Sequence, residues 1–439
     1  MKRATLFLLV TLLCCGKACV SQPLLTPEEA VTLALTQNFA IRLAEAEARI
    51  AQQNNTAGNA GRLPTINLAL NETFTLSAFQ QRLANGNEFN ASGAPFNNLN
   101  SSLQVSWVIY ENGRARFAQD RLQALEEQAR LNVEATLQQT AAQILIAYYD
   151  VVRHRLQERA IEELIALNEE RLRIAETRLT AGLAAQTEVL QARIDLHQLR
   201  SNLLLQRAAT ATAKNALNQL LARDPQTPFD VVLQMDVVYQ PQRERLLERI
   251  RTAAPLLMAL RKGAEAAMRA ADEANAARGP RITANGQLVV VRTDNGAGFI
   301  RNNNQAGFAV GASLVLPLYN GGNLRRQVEI ARIAAEQARL RVDAQQLELE
   351  TALESQLNLF NQQKQAVEVE SQNIQLARQS LTISTERFRL GQASALEIQA
   401  AQNTLEQALL RQNLALYNLK ISEIQLRLLT ADFFNEGGF

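Results

Sequence analysis

Few side chains in this sequence are of a type that could do chemistry. The two histidines, His154 and His197, both fall in helical segments, and neither stands at a metal spacing such as His-x-x-x-His. All three cysteines lie within the first 19 residues, so the remainder offers no disulfide, thiolate metal site or cysteine nucleophile. No glycine-rich phosphate loop follows a strand and no nucleophile elbow occurs. The Gly321-Gly322 pair reads as a strand-to-helix turn, which glycine explains by conformation alone. The charged residues that stand out do so because they occur twice: Arg178, Gly182 and Glu188 return as Arg387, Gly391 and Glu397. Taken by themselves, the glutamates are acids in N-terminal helical turns and the arginines cations in C-terminal turns, each opposing a helix macrodipole. That is charge without catalysis, so the sequence points away from an enzyme and implies no cofactor.

The elements that must position these residues are themselves repeated. Tyr110-Glu111-Asn112-Gly113 returns as Tyr319-Asn320-Gly321-Gly322, an offset of 209, and Glu127 to Leu131 return as Glu336 to Leu340 at the same offset. Upstream, Arg62-Leu63-Pro64 matches Arg278-Gly279-Pro280 at an offset of 216, so the first copy holds about seven extra residues before Tyr110. The period is far longer than the 20 to 50 residues of a solenoid repeat. It reads as a half-molecule duplicated and fused, with helices that must end level with each other. The organisation expected is a signal peptide over 1–21, a first repeat over 22–223, a linker over 224–241, a second repeat over 242–430 and a tail over 431–439.

Lys2, Arg3 and the apolar run Leu6 to Leu13 read as an export signal, too short to span a bilayer. Cleavage is expected after Ala18 or Ser21. Cys19 after Ala18 raises lipoprotein processing, although Gly16-Lys17-Ala18 lacks the leucine of a good lipobox, and ordinary cleavage is the alternative. Net charge is +2 with acids and bases interspersed, which argues for no nucleic acid partner.

No proline occurs between Pro95 and Pro225 or after Pro317, and these gaps can hold uninterrupted helices. Leu122, Leu125, Ala129, Val133, Leu137, Ala141 and Ile144 recur at helical spacing. A helix from Gly113 to Leu179 would be about 100 Å long, a length that belongs to a bundle, coiled coil or tube. The first helix is expected to start at Thr26-Pro27-Glu28-Glu29 with a capping box. Four segments alternate instead: Ile66 to Leu76, Leu103 to Ile109, and counterparts near Ile282 to Val291 and Phe308 to Leu318. Their apolar and polar faces suit either soluble hairpins or tilted membrane-crossing strands of about ten residues, with Trp107 and Tyr110 near the interface in the second case. Asn/Gly-rich loops are expected over Gln80 to Asn98 and Thr293 to Gln305. Four strands cannot close a membrane barrel, whose smallest members use about eight, so spanning strands would have to be pooled between chains.

Helix, strand, strand, very long helix, turn and returning helix, performed twice, resembles the outer membrane efflux protein family, the TolC-like exit ducts. The residues that carry the resemblance are Leu314-Val315-Leu316-Pro317-Leu318-Tyr319-Asn320-Gly321-Gly322 with the weaker twin Val105 to Arg114, and the two hairpin tips, Arg178 to Val189 and Arg387 to Ile398. It covers essentially the whole mature chain. The resemblance implies a mainly α fold with a small β part: duplicated long helical hairpins forming a periplasmic α-barrel, and four strands per chain contributed to a shared twelve-stranded outer-membrane β-barrel in a homotrimer. It further implies an outer-membrane exit duct of a tripartite efflux pump or type I secretion system, set in outer-membrane lipid. A periplasmic adaptor and an inner-membrane pump would be its partners.

Carried over residue by residue, the resemblance places Glu397 on the first of two lumenal carboxylate rings, with Ala400 where the second would be. Glu188 matches the acidic latch partner on the first hairpin. The family's latch tyrosine and arginine fall on Phe388 and Ala393, which puts their polar links in doubt. Glu397, Glu188 and Phe388 are thus the expected pore gate, and Arg178, Gly182, Leu183, Thr187, Arg387 and Gly391 the expected adaptor-contacting tips. The alternative is an exported coiled-coil scaffold without a channel.

Overall fold

The structure, a computed structural model, describes residues 23–434; the expected signal peptide, Cys19 and the end of the tail lie outside these residues. The first half runs β1 (Leu24–Leu25), α1 (Pro27–Gln37), α2 (Phe39–Asn54), β2 (Thr65–Arg82), β3 (Glu88–Glu111), α3 (Arg114–Thr180) and α4 (Gln186–Leu220). The second runs β4 (Asp230–Val231), α5 (Arg243–Ala253), α6 (Pro255–Ala276), β5 (Arg281–Asn295), β6 (Asn302–Val315), α7 (Asn323–Arg389) and α8 (Ala395–Leu429). The two halves match in length: α3 and α7 have 67 residues each, α4 and α8 have 35 each. Helix α1 begins as its sequence dictates, with Glu29 N donating to Thr26 Oγ1 at 3.2 Å and Thr26 N to the Glu29 carboxylate at 3.0 Å.

Strands β2, β3, β5 and β6 form one antiparallel sheet in the order β2-β3-β5-β6, leaving an edge of β2 and an edge of β6 unpaired. Register sorts the side chains into rows. Leu68, Leu103, Leu288 and Phe308 stand side by side across all four strands, while Asn67, Gln104, Gln287 and Ala309 form the neighbouring row on the other face. The apolar face is bare, Leu68 being 73% and Val310 75% exposed. A sheet that turns leucine, valine and phenylalanine outward along its full height faces an apolar surrounding rather than water. Trp107 and Tyr110 sit on this face at the end nearest the helices, and Trp107 Nε1 donates to Arg62 O at 3.0 Å.

The Asn/Gly-rich segments are not the loops expected from composition. Strand β2 continues to Arg82 and β3 begins at Glu88, so the first turn is only residues 83–87; the second is 296–301 rather than Thr293 to Gln305. Antiparallel ladders are held by backbone groups, and a strand that has left the apolar layer no longer needs alternating side chains. Asn97, at the end of an expected loop, pairs with Phe74 and donates through Nδ2 to Glu72 Oε1 at 2.9 Å.

The helices form a single curtain beneath the sheet. Near the sheet α2 lies on α3, α3 on α6 and α6 on α7; farther away α4 lies on α3, α3 on α8 and α8 on α7. The largest core gathers where these two arrangements meet, around Ala30, Ile144, Tyr148, Leu217 and Phe229. Tyr148 clips the short β1–β4 pair there, its hydroxyl donating to Leu25 O at 2.9 Å and accepting from Val232 N at 3.0 Å. A second core lines α3, α7 and α8 toward the tips, with Leu164, Leu381, Phe388, Ile398 and Leu405. No helix among the described residues is long and apolar enough to cross a membrane.

Candidate functional site: the paired helix tips

Each long hairpin turns on a glycine in the left-handed region, Gly182 at φ 73° and Gly391 at φ 74°. A side chain there would strain the turn, and the turn lets the tip N–H groups donate back to the last helical carbonyls, Leu183 N to Arg178 O and Gln392 N to Arg387 O, both at 2.8 Å. In both halves the same arginine closes it. Arg178 Nη2 donates to Leu183 O at 3.4 Å and Arg387 Nη2 to Gln392 O at 3.2 Å. The arginines are therefore cations at helix C-termini, as charge placement alone suggests.

Beyond that the twins diverge. Arg178 reaches across to the second hairpin, donating through Nη1 to Phe388 O at 3.0 Å with its guanidinium 4.7 Å from the Phe388 ring centroid. Phe388 is 1% exposed. Arg387 stays within its own hairpin, with Nη1 3.5 Å from Glu397 Oε2. Ser394 caps α8 by accepting from Glu397 N at 3.2 Å, which leaves the Glu397 carboxylate half-exposed. Glu188 occupies the same place on α4, but its Oε2 is buried with no hydrogen-bond partner among the described residues. Ala393, where the family latch has an arginine, is buried in the tip core. A contact between hairpins thus exists at Phe388, made by Arg178 and not by the polar pair the family pattern would supply.

Gly182, Leu183, Thr187, Arg387 and Gly391 are exposed at the turns. The sequence reading missed two more exposed tip residues, Leu390 and Leu396, which are 69% and 72% exposed. Their counterparts at the 209 offset are Ala181 and Thr187, so comparing the halves for differences rather than matches would have found them. It also missed a polar knot on α3 about two turns before Arg178: Arg171, 2% exposed, donates through Nη1 to Asp195 Oδ2 at 2.9 Å and to Gln402 Oε1 at 3.0 Å. Gln399 Nε2 donates to the same Asp195 carboxylate at 3.2 Å. This ties α3, α4 and α8 together. Glu406, beside it in the same cleft, has its carboxyl pushed up by burial.

The histidines do not converge on anything. His154 lies between Arg153 and Gln206, and burial, then the Arg153 charge, hold its pKa below the usual value; His197 is exposed on α4. No group of His, Cys, Asp and Glu among the described residues could hold a metal ion.

A bare apolar sheet on a curtain of duplicated hairpins defines a class: outer-membrane channels with a long helical extension. The sequence profile of the outer membrane efflux protein family matches residues 30–223 and 246–432, and the chain belongs to that family. It is 24% identical to the outer membrane efflux protein BepC of Brucella suis, over 81% of this chain and 78% of that one. The Campylobacter jejuni outer membrane channel CmeC shares the fold with a TM-score of 0.78 at 16% identity, over 94% of this chain and 86% of that one. VceC of Vibrio cholerae does so with a TM-score of 0.74 at 18% identity, over 92% and 95%. The chain is an outer-membrane exit duct and not an enzyme.

Proposed function

We propose that three copies of this chain close into one duct, a shared barrel of twelve strands in the outer membrane standing on a periplasmic tube of helices. The observation that carries this is that both layers are open on both sides. The sheet ends in unpaired edges at β2 and β6. The helical curtain ends in α2 and α4 on one side and α7 on the other. These edge helices expose apolar stripes: Phe39, Leu43 and Ile50 on α2, Leu190 and Ile194 on α4. On α7 two runs of exposed apolar residues recur every seventh position, Ile333, Leu340 and Leu347, then Val369, Leu376 and Ile383, with Ile330 and Leu359 exposed beside them. A seven-residue stripe is a coiled-coil seam awaiting a helix, and α7 of one copy meeting α2 and α4 of the next satisfies every edge at once.

In this reading the duct conducts passively from a periplasmic adaptor and an inner-membrane pump, within a tripartite efflux pump or a type I secretion system. The exposed tip residues, Leu183, Leu390 and Leu396 with the turns around them, receive the adaptor. Glu397, Glu188 and Phe388 form the gate, and the Arg178–Phe388 contact holds the hairpins together when it is shut. Lipidation at Cys19 would add an anchor to the barrel. Native mass measurement in detergent should give about three times the mass of one chain. A monodisperse monomer that is soluble without detergent would instead establish the exported scaffold.

A further inference from the structure

The inner wall of the sheet changes character toward its outer end. Opposite the lipid-facing rows, the shaft carries small or polar side chains, among them Asn71, Ser102, Gln104, Gly307 and Ala309. Phe96 stands on this same face, paired with Thr75 on one side and Asn295 on the other. Phe79 shares the face by alternation from Thr75, and its ring centroid is 5.7 Å from that of Phe96. Phe89 would fall on the opposite face from Phe96, but the ladder slips between Ser77 and Phe79, and the left-handed Gly93 takes up the extra residue on β3. This bulge re-aims the end of the strand, and Phe89 stacks on Phe79 at 5.8 Å.

The second hairpin adds a fourth ring. Gly296 N donates to Pro95 O at 2.7 Å, an approach so close that a Cβ on Gly296 would lie 2.5 Å from Pro95. Asn295 Nδ2 fixes the turn by donating to Ile300 O at 2.7 Å. Phe299 is thereby held with its centroid 6.4 Å from Phe89, although it is 78% exposed. All four rings lie at the end of the sheet remote from the helices, hence at the outer mouth.

We propose that Phe79, Phe89, Phe96 and Phe299 form an apolar collar inside the outer mouth, a second constriction that slows large polar solutes entering from outside. The proposal rests on the duct reading, because three copies are needed to make a ring. Barrels of about eight strands are filled by their own side chains and those of 16 to 18 leave a water channel; at twelve, bulky inward residues decide the width. Apolar walls raise the cost of passage because a hydrated solute must shed water to pass them.

The test is the rate at which a cysteine below the collar reacts with a polyethylene-glycol maleimide added outside intact cells. The chain has no cysteine after Cys19, so Asn71→Cys on the inner face and Ala84→Cys on the outer turn supply a probe and a control. Replacing Phe79, Phe96 and Phe299 together by serine should speed labelling of Asn71→Cys roughly tenfold and leave Ala84→Cys unchanged, whereas leucine at the same positions should keep labelling slow. Phe96→Ser alone should act in the same direction and decides the matter if the triple variant does not assemble. Equal rates with phenylalanine and serine would overturn the collar. If Ala84→Cys is never labelled, the barrel does not reach the cell surface and the duct reading itself has failed, a result separate from the first.

Discussion

Glu397 is the residue whose role depends most on its neighbours. In the single chain its carboxylate lies 3.5 Å from Arg387, both side chains being about half exposed, so its charge is partly offset before any ring forms. Two unit charges at about this distance interact by roughly 1 kcal/mol in water, enough to change ion preference by a factor of a few. Glu397→Ala should therefore lower cation selectivity and divalent block modestly in planar-bilayer recordings, and Arg387→Ala should raise both. Glu370, already bonded to Arg411 at 3.1 Å far from the tip, should matter much less when replaced; equal effects of the two glutamates would remove Glu397 from the gate. Glu406 supplies a prediction of opposite character. Burial raises its carboxyl pKa, so the folded chain holds that proton more tightly than the unfolded one. Its penalty is present in full above the raised pKa and vanishes below the ordinary carboxylate range, where both states are protonated. Glu406→Gln should raise the Tm at neutral pH and change it little in acid; an unchanged Tm at neutral pH would show that the side chain finds water.

At the scale of elements, the helices were legible because their determinants are local. The Thr26-Pro27-Glu28-Glu29 start, the proline-free gaps and the fixed 209 offset give α1, α3, α7 and the two tips nearly to the residue. Strand ends were not, since alternation records where lipid stops and the β2–β3 ladder runs past that point to Arg82 and Glu88. The site was legible in the same uneven way. Arg178, Gly182, Arg387 and Gly391 announce themselves by repetition, but the Arg178–Phe388 contact joins residues 210 apart and occurs only once. Arg171, Asp195 and Gln402 are likewise unrepeated, their counterparts at the 209 offset being Ser380 and Thr404 for the charged pair. Breaking a buried, hydrogen-bonded pair of this kind costs about 3 to 5 kcal/mol locally. Arg171→Ala should accordingly speed amide exchange around Asp195 and Gln402 while leaving exchange in the sheet unchanged. Unaltered exchange in α4 and α8 would mean that the knot does not hold the hairpins together.

At the scale of the whole molecule, the proposed duct makes one chain a third of a wall. Its sheet has two free edges, its helical curtain has two free edges, and apolar side chains stand exposed along all of them. Within the chain, α3 and α8 separate α4 from α7, so Leu190 and Ile383 are brought together only if a neighbour's α4 lies against α7. Both residues sit near the tips, at comparable heights above the turns. The measurement that tests this most directly is chemical cross-linking of the doubly substituted Leu190→Cys, Ile383→Cys protein with a short bis-maleimide in native membranes, read on a denaturing gel. A closed ring predicts products of one, two and three chains with the trimer accumulating and nothing larger. Monomer alone, or a ladder continuing past three chains, would contradict the closed three-chain duct.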